Sequence, residues 1–425
     1  VRTRVSQAVG DHTDRQDAAR ELAQVAARAR DDRSAAFAWS DLITTLATRS
    51  GKLDEATALV PTANAAVLRA GDPPDLRANL LYSQAQALDS GPHPEPSLDL
   101  LTQARRLLEQ AGATSPSSPF AGRLADIVAE TGMAYSRRNE PDAAIASYRD
   151  AIERRRALYG SDSPDEAFGW QAIGAVHQRN DKPDEALAAF RAAARIREAR
   201  LGESPLTAST LVAVASVLNE LRRWEEALAV YDRALRMDRA KLPPGDLQLA
   251  SVLVWRAITL NHLERVDEAA QAYDEALAIY ERAGAKSYDV AATFYNRGLL
   301  ETKRGRCDRA LRDHARALAL FEELRGPNAD QLIWPLVGQA RCLILSGRSG
   351  DAIAPLERAV KLPAAPEDAG DVMQARYYLG RARVETRRDV AGGIAMVRTA
   401  RIALASDARN TELVRELDAW LAAQK

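Results

Sequence analysis

"DKPDEALAAFRAAAR" occupies residues 181–195 and sets two adjacent carboxylates, Asp184 and Glu185, directly before a run with helical alanine spacing. Such a pair is a catalytic acid couple, a metal-binding pair or the first turn of a helix. The rest of the chain decides between them. The pattern recurs as "NEPDAAIASYRDAI" (139–152), "RRWEEALAVYDRAL" (222–235), "ERVDEAAQAYDEAL" (264–277), "GRCDRALRDHARAL" (305–318) and "GRSGDAIAPLERAV" (347–360). A site confined to one place in a molecule does not need six copies, whereas every helix start benefits from acids facing its exposed N–H groups. Pro141 and Pro183 fit a first helical position, where a missing N–H costs nothing.

One small residue anchors each copy: Ala144, Ala186, Ala227, Ala269, Ala310 and Ala352, separated by 42, 41, 42, 41 and 42 residues. Four positions later stands a large side chain (Tyr148, Phe190, Tyr231, Tyr273, His314, Leu356), and seven positions later another alanine. That spacing places all three on one helical face, the small residues admitting a neighbouring backbone and the large one filling the gap. Twelve residues upstream lies a second small residue, Gly132, Gly174, Ala215, Ala257, Gly298 or Ala340, inside a separate helical pattern. The unit is therefore a helical hairpin.

Weaker copies anchored at Ala56, Ser97 and Gly393 bring the expected total to nine pairs; the first helix of the last fits one residue out of phase, at Gly380. "TELVRELDAWLAAQK" (411–425) reads as a capping helix using Leu413, Leu417, Trp420 and Leu421, and residues 14–31 as its less distinct counterpart at the other end. The 47-residue interval between Ser97 and Ala144 contains the loop-like "GATSPSSPF" (112–120). The expected division is residues 1–111 as an N-terminal cap with two degenerate repeats, 112–120 as a loop insertion, 121–406 as seven repeats and 407–425 as a C-terminal cap.

Paired helices with small residues at these offsets resemble the tetratricopeptide family, and the period of 41 or 42 resembles its kinesin light chain type. Links such as "ALYGSDSPDEA" (157–167) and "EELRGPNADQL" (322–332) are similar to those of that type. The resemblance implies an all-α, right-handed superhelical solenoid with a concave binding groove. "DEATALVPTANAAVLRAG" (54–71) before a long Ala- and Arg-rich array also resembles the C-terminal regions of bacterial serine/threonine kinases, although no kinase motif is present.

Composition agrees with a helical reading: aromatics are 5% and no run alternates β-branched with polar residues. Lys plus Arg (58) and Asp plus Glu (59) nearly cancel, which removes the general attraction to phosphate that a nucleic-acid binder needs. No stretch reaches the roughly 20 apolar residues of a membrane span. Cys307 and Cys342 form no CxxC pair and are expected as free thiols. The first residue, Val1, and the absence of a signal-peptide core suggest a piece of a longer, cytoplasmic polypeptide, or an extracytoplasmic one if its parent is membrane-anchored. His12, His93, His177, His262 and His314 are scattered, with packing the expected role for His177 and His314. No cofactor, no metal and no enzymatic activity are expected; a buried, unpaired Asp126 would reopen the question of hydrolysis.

Function then falls on the face lined by the first helices. Offsets −3, +1, +4 and +5 from the upstream small residue supply Gln171, Gln178, Arg179, Ser216, Asn219, Asn261, His262, Tyr295, Lys303 and Arg341, with Asn296 at −2 and Trp334 at −6. Only Asn296 matches the paired asparagines of the kinesin light chain type. Donors, acceptors and aromatics together suit an extended peptide. The expected function is a non-catalytic scaffold binding a peptide or partner segment, as the regulatory region of a larger bacterial signalling protein such as a kinase. The alternative is a small-ligand or signal-peptide sensor that changes shape on binding.

Overall fold

The computed structural model describes residues 12–48, 50–91, 97–363, 369–407 and 410–424. Among these it contains twenty α-helices and no strand. The chain divides into two compact units, Val1–Leu221 and Arg222–Lys425. The first unit holds α1 (His12–Arg28), then the pairs α2/α3 (Asp32–Thr48, Leu53–Arg69), α4/α5 (Pro74–Asp89, Ser97–Gln110), α6/α7 (Ala121–Arg137, Pro141–Tyr159) and α8/α9 (Pro164–Arg179, Pro183–Leu201), and ends with α10 (Pro205–Glu220). The second opens with α11 (Trp224–Lys241) and holds α12/α13 (Leu247–His262, Val266–Arg282), α14/α15 (Tyr288–Lys303, Cys307–Arg325), α16/α17 (Ile333–Leu345, Ser349–Ala359) and α18/α19 (Ala369–Glu385, Val390–Leu404), followed by α20 (Thr411–Ala422). The sequence pairs α10 with α11, and the division between units falls between them, inside the span read as one run of repeats.

Six of the first helices end in the same way. Asn139, Asp181, Glu264, Gly305, Gly347 and Arg387 adopt left-handed backbone, with φ of 57, 54, 57, 72, 72 and 58°. Around each, the next N–H returns to a carbonyl five residues back, as in Lys182 to His177 (3.0 Å), Arg265 to Leu260 (2.9 Å) and Arg306 to Glu301 (2.8 Å). These are Schellman closures, which satisfy the last carbonyls of one helix and aim the chain into the next. The helix starts differ by type. Several first helices carry a side-chain cap, Ser163 accepting from Glu166 N–H (3.2 Å), Ser204 from Thr207 N–H (3.1 Å) and Asp246 from Gln248 N–H (2.8 Å). The second helices α7, α9, α11, α13, α15 and α17 have no such cap. Their first-turn acids include Asp184 and Glu185, and some of these pair with an arginine at the cap position: Arg223 with Glu226 (2.7 Å), Arg265 with Glu268 (2.7 Å) and Arg348 with Asp351 (2.8 Å). The opening pair is a helix start.

The anchor residues form the packing seam. Ala144, Ala186, Ala269 and Ala310 are fully buried, and the large side chain at +4 lies on the small residue upstream. A Cβ on Gly132, Gly174 or Gly298 would come within 2.9, 2.8 and 2.6 Å of Tyr148, Phe190 and His314 respectively, so each glycine exists to admit a ring. The last pair is shifted, as its sequence indicates. A Cβ on Gly380 would meet Gly393 O at 2.6 Å and Val397 Cγ2 at 3.0 Å, so backbone replaces ring at the closest approach. At the ends, Ala19, Ala23 and Ala26 of α1 are buried, while α20 buries Leu417 and leaves Leu413, Trp420 and Leu421 half-buried.

Candidate functional site: the first-helix faces

Within each unit the first helices of successive pairs touch one another. All twelve sequence-selected residues reach solvent: Arg179, His262, Lys303 and Arg341 are exposed, and the other eight are half-buried. The structure then separates those that bond one another from those that do not.

In the first unit the face is a polar ladder. Thr44 Oγ1 donates to Gln86 Oε1 (3.1 Å), and Gln86 Nε2 donates to Tyr82 Oη (2.9 Å) and to Glu130 Oε2 (3.0 Å), linking α2, α4 and α6. Arg137 Nη1 approaches Asp89 Oδ2 to 2.7 Å in an ion pair without hydrogen-bond alignment. Arg179 donates to Ser136, and Gln178 donates to Ser216 (3.3 Å) and Glu220, which carries the ladder through α8 to α10. Gln178 and Ser216 are thus brought together as partners, while Arg179 is taken up by Ser136. Glu130 is buried, and that burial raises its pKa, with the Asp89 charge adding to the rise. Asp126 is different: its side chain is 43% exposed and pairs with Arg155 at 3.2 Å. It lacks the seclusion that a general acid requires.

Tyr82, Gln86 and Asp89 stand at −3, +1 and +4 from Ala85, so the offset rule that selected the central residues would also have found them. They lie in a degenerate repeat, where the packing pattern is weakest. A cleft of about 520 Å³ between Phe37, Phe120, Arg123 and Tyr159 was missed too, because the residues 112–120 that wall part of it follow no helical period.

The second unit builds its face from rings. Tyr295 packs near His314 (5.8 Å between centroids) and Trp334 (6.2 Å), and Trp334 meets Phe321 edge-on (6.1 Å). Trp334 Nε1 donates to Asp371 Oδ2 at 2.7 Å, which ties α16 to α18. His262 stacks on Trp224 (5.2 Å, 4°), and Lys303 pairs with Glu264. Other groups are left unsatisfied. Asn261 Oδ1 is buried and has no hydrogen-bond partner among the described residues. Arg341 is exposed and unpaired among them, close enough to Tyr295 and Tyr378 to act on both hydroxyls electrostatically. Nearby, Trp255 is 42% and Leu345 55% exposed.

His314 fills its ring slot with 0% exposure, between Gly298 and Gly338, and neither ring nitrogen has a hydrogen-bond partner among the described residues. Burial therefore holds it neutral, with its pKa lowered to about 4. Among the described residues no group of three His, Cys, Asp or Glu could hold a metal ion, and no helix is long and apolar enough to cross a membrane.

Residues 128–199, 169–240, 248–312 and 289–364 match the tetratricopeptide repeat family pattern, together more than half of the chain. No curated protein matches by sequence. Among solved structures, apo RapI is similar with a TM-score of 0.56 and 15% identity, covering 84% of this chain and 98% of its own. A Rap protein complexed with competence and sporulation factor gives 0.48 and 16% over 84% and 98%. A putative kinesin light chain of Podosopora anserina gives 0.42 and 14% over 46% and 94%.

Proposed function

Since the chain belongs to the tetratricopeptide repeat family, a fold that works as an interaction scaffold, we propose that its first-helix face in the second unit binds an extended peptide. The observation that carries this reading is the exposed Arg341 guanidinium, unpaired among the described residues, together with the exposed apolar side chains Trp255 and Leu345 and the half-buried Asn261 amide. An extended peptide offers polar backbone groups for the half-buried Asn261 amide, a carboxylate or carbonyl for Arg341 and side chains for the apolar surface. The first unit contributes less, because Gln178, Arg179 and Ser216 already bond within the chain.

The same reading retains the expected setting: a regulatory region of a cytoplasmic bacterial kinase or similar signalling protein, with residues 1–111 as an N-terminal cap and two degenerate repeats, 112–120 as an insertion, 121–406 as seven repeats and 407–425 as a C-terminal cap. The near-balanced charge supports selective over general electrostatic recognition. The binding claim is tested by selecting peptides from a random display library on the full chain and measuring affinity by calorimetry. Arg341→Ala and Asn261→Ala should each weaken the selected peptides by about tenfold, the scale of one lost hydrogen bond to a charged or buried group. Unchanged affinity in both variants would move the site elsewhere.

A further inference from the structure

The binding face makes no use of the two cysteines, yet the fold brings them together. Cys342 sits within α16 at 0% exposure, its Sγ 3.0 Å from Thr302 Oγ1 near the end of α14. Just beyond Thr302 the chain reverses through a tight turn, Gly305 N–H to Thr302 O (3.0 Å) and Arg306 N–H to Glu301 O (2.8 Å). That reversal returns Cys307, the first residue of α15, to the same neighbourhood, with its thiol close enough to act electrostatically on that of Cys342. Cys307 is half-buried, so one thiol of the pair reaches solvent and the other does not.

We propose that Cys307 and Cys342 form a reversible intramolecular disulfide that clamps the α14/α15 pair to α16. Low-molecular-weight disulfides are the oxidant class. The Cys307 thiolate attacks one sulfur of the small disulfide, forming a mixed disulfide and expelling one small thiolate. The Cys342 sulfur, giving up its proton to solvent, then attacks Cys307 Sγ and expels the second thiolate. Two protein thiols and one small disulfide thus become one protein disulfide and two small thiols, and excess thiol reverses both steps. The order follows from access: burial pushes the Cys342 thiol up to about 11, which suits it to resolve a mixed disulfide and not to initiate attack. The link would fix the helix that carries Arg341, the residue before Cys342.

The test incubates the full chain with oxidised glutathione, alkylates the remaining thiols and maps the peptides by mass spectrometry. The expected product is a single Cys307–Cys342 link, reversed by dithiothreitol, in a chain that unfolds at higher urea than its reduced form. Cys342→Ser should trap glutathione on Cys307, and Cys307→Ser should leave Cys342 unmodified until the chain is denatured. Wild-type chain that accumulates glutathione on Cys307 with Cys342 free, or links two molecules together, overturns the proposal. The wild-type result stands whether or not the variants fold.

Discussion

In the first unit the surface of the first helices closes on itself: Thr44, Gln86 and Glu130 form one chain of hydrogen bonds, Arg179 bonds Ser136, and Gln178 bonds Ser216 and Glu220. In the second, rings take over the contacts between repeats, and Asn261 Oδ1 and Arg341 are left without partners among the described residues. The two surfaces stand on the same kind of packing seam. The comparison teaches that this seam fixes where side chains point and leaves open what they bond, so one repeat can build a self-satisfied wall and a receptive one.

The seam itself is the first thing to break. Phe190→Ala removes the ring seated on Gly174 and should cost about 3–5 kcal/mol in urea unfolding, the range for emptying an aromatic site in a core. A loss below about 1 kcal/mol would mean that the ring is not the wedge described.

The equivalent slot in the second unit sharpens the contrast, because His314 is buried there with both nitrogens unpartnered. Its folded pKa of about 4 lies below its ordinary 6.5, so the unfolded chain takes up the proton first as pH falls. Stability is fully present above pH 6.5 and is lost on the way down to pH 4, by roughly 3 kcal/mol in total. His314→Phe should remove that acid-induced loss; a variant whose stability still declines with wild-type slope over this window would assign the decline to other groups.

Glu130 tests the polar wall with the opposite sign. Its pKa is raised, chiefly by burial, so its contribution is greatest at low pH and is lost as pH rises through the folded value. Glu130→Gln keeps an acceptor for Gln86 without a buried charge. It should be more stable than wild type at neutral pH by a smaller margin than the effects above, and the gap should close toward the ordinary glutamate range. Equal stability of the two chains at neutral pH would show that the ladder solvates the charge.

The legible part of the molecule was its period. Alanine anchors, rings at +4 and first-turn acids follow from helix geometry alone, which is why Ala186, Phe190 and Ala193 could be read as one contact face. The shift at Gly380 was also legible, and Val397 and Gly393 meet it as that shift requires. Site residues were less legible. Offsets predict exposure, and the twelve chosen residues are accessible, but accessibility does not reveal that Gln178 and Ser216 are spent on each other while Arg341 is not. The acids misled less than they omitted, since the arginines pairing with Glu226 and Glu268 lie in the turn and obey no packing rule.

Sequence by itself determined the helical hairpin, its repeat length and the residues that touch along the seam, because these depend on spacing within about forty residues. Tertiary structure decided which polar groups remain open, that His314 is sealed between two glycines, and that Cys307 and Cys342 share one place. Those outcomes depend on which helix of the next repeat lies opposite, and no local period encodes that.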